Sequence, residues 1–103
     1  MNKNDEKLEA ILAMNITPGL KIYIITLYYY GEDMTTSEMN SYLNKNLTYK
    51  NLEAAFSDLI DKCIIEKTEK IINGVKRKSF KLNLSLIYNF KSSTNGDTLK
   101  LST

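Results

Sequence analysis

Residues 64–84 read IIEKTEKIINGVKRKSFKLNL, and Asn73-Gly74 divides them into two runs of alternating character, Ile64 to Ile72 and Val75 to Leu84. Asn-Gly is the strongest short hairpin signal, because both residues tolerate the positive φ that a two-residue turn demands. The spacing predicts an antiparallel hairpin pairing Ile72 with Val75, Ile71 with Lys76, Lys70 with Arg77, Glu69 with Lys78, Thr68 with Ser79 and Glu66 with Lys81. Cross-strand partners share a face. One face therefore collects Thr68, Lys70, Arg77 and Ser79, with Ile72 and Val75 at the tip. Two cations opposite each other destabilise an isolated hairpin by a few tenths of a kcal/mol to about 1 kcal/mol, a cost that an anionic partner reverses.

Upstream of residue 64 the apolar period is helical. Leu52, Ala55, Phe56, Leu59 and Ile60 mark one helix, capped by Thr48. Before it, Thr35-Thr36-Ser37-Glu38 is a capping box in which the Thr35 hydroxyl and the Glu38 carboxylate satisfy each other's backbone amides. It opens a helix with Met39, Tyr42 and Leu43 facing inward, and Asn44 to Asn46 form the turn between the two. Thr17-Pro18 and Gly31 are the start and stop of a further helix, since proline fits the first turn and glycine the left-handed stop. That helix carries two apolar stripes, Leu20, Ile24, Leu27 and Tyr28 on one side and Ile22, Ile25 and Tyr29 on another. Two apolar faces need two partners. Either the amphipathic segment from Asn4 to Met14, with Leu8, Ile11 and Leu12 on one stripe, covers the second face, or a symmetric dimer contact does. Residues 85–90 fit either a short strand or one helical turn.

Composition sets outer limits. With 103 residues and 43% hydrophobic content the chain suffices for one core. The expected organisation is an amphipathic helix over 1–16, a domain over 17–90 and a disordered tail over 91–103, too polar to offset its ordering entropy. The longest apolar run, Ile22 to Tyr30, is about half of what a bilayer crossing needs, and Met1 to Glu9 lacks the order of a secretory signal. A cytoplasmic protein with no membrane contact is expected. One cysteine, no histidine and no phosphate-cradling glycine loop leave no catalytic pair, so no catalysis, metal or cofactor is expected. Cys63, at a helix-to-strand junction, reads as a buried structural thiol. Glu32 and Asp33 read as a solvated turn, and Tyr28 to Tyr30 as core or dimer packing.

The overall charge is only +2, but residues 64–83 carry six cations and two anions, a local excess of four. Residues 1–48 carry four cations and six anions. The positive charge is concentrated on the hairpin.

The order of helix, capped helix, short turn, third helix and two-stranded hairpin, carried by MTTSEMNSYLNKN (34–46), LTYKNLEAAFSDLIDKCIIEK (47–67) and EKIINGVKRKSFKLN (69–83), resembles the winged helix-turn-helix family. The likeness covers about two thirds of the chain. It implies an α+β fold of three core helices and a two-stranded β-wing, here with an extra N-terminal helix. It also implies a double-stranded DNA partner. The family usually has glycine at the end of the third helix, where Cys63 stands here, which bears on that turn. Size, composition and basic wing are also similar to the small accessory proteins of clostridial conjugative plasmids. That likeness implies a homodimer bound to repeats at an origin of transfer; a small transcriptional regulator or a protein-assembly module are the alternatives.

In this family the third helix ordinarily enters the major groove. Here its outward positions include Tyr49, Lys50 and Asn51, which can reach bases from the first turn, but also Glu53, Asp58 and Asp61, which repel phosphate. The expectation is therefore wing-centred binding. Arg77 is the main reader, at guanine in the major groove or in a narrow AT-rich minor groove. Lys67, Lys70, Lys76, Lys78 and Lys81 serve phosphates, with Thr68 and Ser79 beside them on the binding face.

Overall fold

The computed structural model describes residues 3–87. The chain is α+β, built as α1 (Lys3–Leu12), α2 (Pro18–Tyr30), β1 (Met34–Thr35), α3 (Thr36–Leu43), α4 (Tyr49–Ala55), α5 (Ser57–Asp61), β2 (Ile65–Ile72) and β3 (Val75–Leu82). A helical turn over 84–87 follows. The tail expected over 91–103, and residues 88–90, lie outside the described residues. No helix among the described residues is long and apolar enough to cross a membrane.

The helix boundaries follow the capping chemistry. Thr17 caps α2 by accepting from the Leu20 N–H, and Gly31 closes that helix at φ 84, where a side chain would be strained. Thr35 and Glu38 form the capping box of α3, and Thr48 and Asn51 form a second at α4. The expected third helix is two pieces. At Phe56 (φ −87, ψ 2) the helix tightens, although the Phe56 N–H still reaches Leu52 O and the Ile60 N–H reaches Phe56 O. Phe56 is fully buried between the two pieces.

Strands β2 and β3 pair in the expected register, from Ile65 opposite Leu82 to Ile72 opposite Val75. A third strand was not expected. Met34 and Thr35 pair antiparallel with Phe80 and Ser79, giving the sheet order β1-β3-β2. Two residues are too few to show an alternation, so nothing in the sequence pattern announces β1. It covers the base of β3 and leaves the β3 edge open from Lys78 to the tip.

The core joins Ile11 and Met14 from the N-terminal segment, Ile24 and Leu27 from α2, Met39, Leu52, Phe56 and Leu59 from α3 to α5, and Ile65 and Phe80 from the sheet. Phe80 lies at its centre, edge-on to Phe56 at 5.1 Å and stacked on Tyr49 at 5.1 Å. Three expected inward positions point out: Leu12, Tyr42 and Ala55 are exposed. Ala10 and Met14 are the buried residues beside Ile11 instead. Helix α1 packs on α2 but covers the second stripe of α2 only in part. Ile25 is half-buried, whereas Ile22 is 50% and Tyr29 64% exposed.

Cys63 corrects a further expectation. It is exposed, and it adopts the left-handed conformation at φ 63. A Cβ in that conformation costs about 1–2 kcal/mol, so the turn is one that favours glycine. Asn83 Nδ2 donates to the Cys63 carbonyl and ties that turn to the end of β3.

Candidate nucleic-acid interface

The outer half of the hairpin, the N-terminus of α3 and the turn before α4 enclose a cleft of about 860 Å³. Arg77 and Lys78 enter it from β3, Lys45 and Asn46 from the turn, and Thr36, Ser37 and Ser41 from α3. Thr36 Oγ1 is buried without a hydrogen-bond partner among the described residues. Glu38 is the one carboxylate on the wall. It is ion-paired with Lys70, whose Nζ lies 3.2 Å from Glu38 Oε1 and is shared with Glu32 Oε1 at 3.2 Å. The lining also carries Lys45, Arg77 and Lys78, three cations against that one carboxylate, so the charge of the cleft is positive.

Of the expected contact residues, Arg77, Lys81 and Lys50 are exposed and have no ion-pair partner among the described residues. Lys78 is exposed with its ammonium 4.9 Å above the Tyr49 ring, which fixes it beside the start of α4. Tyr49 is half-buried against Phe80, and burial raises its phenol pKa. Lys67 pairs with Glu53 at 3.1 Å and Lys76 with Glu69 at 3.9 Å. Both pairs are exposed, so they hold their lysines weakly. Asn51 has part of its side chain committed, since Oδ1 accepts from the Thr48 N–H.

Three expected contacts are turned inward. Lys70 Nζ donates to the Asp33 carbonyl at 2.8 Å as well as to both carboxylates, and sits 5.5 Å from the Tyr30 ring centroid. Thr68 donates to Asp33 Oδ2 at 2.7 Å and shares a 2.8 Å hydrogen bond with Ser79, which is fully buried. The reason is the packing of this face on the α2–β1 corner. Glu32 and Asp33, expected as a free acidic turn, supply the counter-charge and acceptor there. The repulsion between Lys70 and Arg77 is relieved from within the protein.

This knot has a pH signature. Burial pushes the Glu38 carboxyl up, but hydrogen bonds from the Thr35 N–H, the Tyr30 hydroxyl and Lys70 push it down and prevail. For Lys70, burial pushes down, and hydrogen bonds to Glu38 and Glu32 prevail in raising it. Tyr30 is raised, chiefly by its hydrogen bond to Glu38. A carboxylate with a depressed folded pKa contributes stability above its unfolded value and loses it as pH falls through the folded one. Unfolding by urea at a series of pH values is expected to show stability dropping below about pH 4.3. In Glu38→Gln the part of that drop due to Glu38 is absent.

Lys45, Asn46 and the α3 hydroxyls line the cleft but were not among the residues expected there. They lie in a turn and a capping segment, whose residue types are fully accounted for by local structure, and only the fold sets them opposite Arg77. No family model, curated protein or solved structure matches this chain.

Proposed function

We propose that the chain is a winged helix-turn-helix protein that binds double-stranded DNA, with the β2–β3 hairpin as its wing and main contact. The observation that carries this reading is the gathering of Arg77, Lys78 and Lys45 on one cleft whose one carboxylate among the lining residues, Glu38, is ion-paired with Lys70. A duplex laid on the hairpin meets Arg77 and Lys78 at the cleft, with Lys81 and Lys50 available to flanking phosphates. The acids Asp58 and Asp61 lie towards the far end of the third helix, so α4 approaches by its first turn, through Lys50 and the free side of Asn51. Arg77 reads a base edge; the lysines give affinity and salt dependence.

The exposed apolar residues Leu12, Ile22 and Tyr29 of α1 and α2 support a homodimer through that side, opposite in chemistry to the cationic cleft. The similarity in size, composition and basic wing to accessory proteins of conjugative plasmids supports action at an origin of transfer, with transcriptional regulation as the alternative. The exposed acids of α5 favour one other reading, a winged helix used for protein assembly.

Duplex binding by the full chain decides between these classes. Retention of a mixed duplex pool at about 50 mM salt, weakening steeply by 200 mM, is the expected result. No retention at either salt would favour the assembly reading.

A further inference from the structure

The hairpin tip is apolar on both faces. Ile71 is 70% and Val75 49% exposed, and Ile72 is half-buried at the edge of the cleft. Ile72 pairs with Val75 on the face shared with Arg77, while Ile71 pairs with Lys76 on the other. Lys70 is the outermost residue of β2 hydrogen-bonded to the helical body, and Lys78 the outermost of β3 stacked on it. Beyond them the tip projects as a short ribbon. A single exposed aliphatic residue needs no explanation. Here two large β-branched side chains crown one turn, with Lys76, Arg77 and Lys78 immediately behind.

We infer that this tip enters the major groove and that Ile71 and Val75 touch the C5 methyl groups of thymines. The inference rests on the duplex-binding reading and adds what the tip recognises. Cations behind an apolar point match a groove walled by phosphates and floored by bases. A two-stranded ribbon with side chains on both faces is about 10 Å thick, the spacing at which sheets pack. That fits the roughly 12 Å major groove and exceeds the roughly 6 Å minor groove. In the major groove the thymine methyl is the one apolar group on a base edge. Ile71 and Val75, on opposite faces, meet the base edges on opposite sides of the ribbon, so the contacted thymines lie on either side of the base that Arg77 reads.

Uracil lacks only that methyl group. Duplexes enriched by the full chain from a random pool are resynthesised with uracil for every thymine, and both forms are titrated against the wild type and an Ile71→Ser, Val75→Ser variant. The wild type is expected to bind the thymine form tighter by roughly fourfold for each methyl contacted. The variant is expected to bind both forms alike, at the affinity of the wild type for uracil, which also shows its hairpin intact. Equal binding of both forms by the wild type would overturn the inference and leave duplex binding standing, as would discrimination that survives in the variant. Failure to enrich any duplex would overturn both. Sedimentation of the wild type, but not the variant, with phosphatidylglycerol vesicles would overturn it by assigning the tip to a membrane surface.

Discussion

Alanine at Arg77 and Lys78 is expected to cost the largest share of duplex affinity that any two residues of this chain can remove. A bidentate arginine on a base edge is worth about 1–3 kcal/mol of discrimination, so Arg77→Ala alone should weaken binding by roughly 5- to 150-fold and relax the preferred sequence at one position. Lys78→Ala, at a proposed phosphate contact, should flatten the slope of log affinity against log salt by about 1 while leaving sequence preference intact. Titrations of fluorescent duplexes at several salt concentrations separate the two effects. Lys70 provides the contrast. Because its ammonium is committed to Glu32, Glu38 and the Asp33 carbonyl, Lys70→Met should destabilise the fold and leave the salt slope unchanged. A flattened slope in Lys70→Met would mean that the lysine leaves its partners to bind phosphate.

Phe80→Ala is expected to be the most damaging single change to the fold. Its ring is fully buried, contacts Phe56 and Tyr49, and lies on the strand flanked by both others, opposite Met34 and Lys67. Truncating such a ring costs about 3–5 kcal/mol through lost transfer energy and the cavity left behind. Domains are stable by only about 5–15 kcal/mol, so a midpoint of thermal unfolding lower by well over 10 °C is expected. Ile71→Ala, on the same sheet but at the exposed tip, should change stability by no more than about 0.5 kcal/mol. A small effect at Phe80 would contradict the packing described.

The hairpin was legible in full because Asn73-Gly74 fixes the turn and a period of two then fixes every pairing. Helix starts at Thr17, Thr35 and Thr48 were legible because a capping hydroxyl is a local requirement, met within three residues. What escaped was non-local. Lys70 and its carboxylates are 32 and 38 residues apart, so a sequence that displays a row of cations does not say which of them the protein neutralises itself. Strand β1 exists only because the chain after Gly31 returns beside Phe80 and Ser79. Cys63 was misread from residue type, since cysteine favours interiors, whereas its place at the end of α5 required a left-handed turn. The candidate site divides in the same way. Arg77, Lys78, Lys81 and Lys50 were visible as cations on predicted surfaces; that Arg77 and Lys78, and not the other two, meet Lys45 and the start of α3 required the fold.

The cationic cleft between the hairpin and the α3–α4 turn is proposed to receive a DNA duplex. Selection from a random duplex pool followed by sequencing, with the wild type beside an Arg77→Ala, Lys78→Ala variant, tests it most directly. An enriched motif for the wild type that the variant loses is the predicted result. Equal enrichment by both proteins, or by neither, would contradict it.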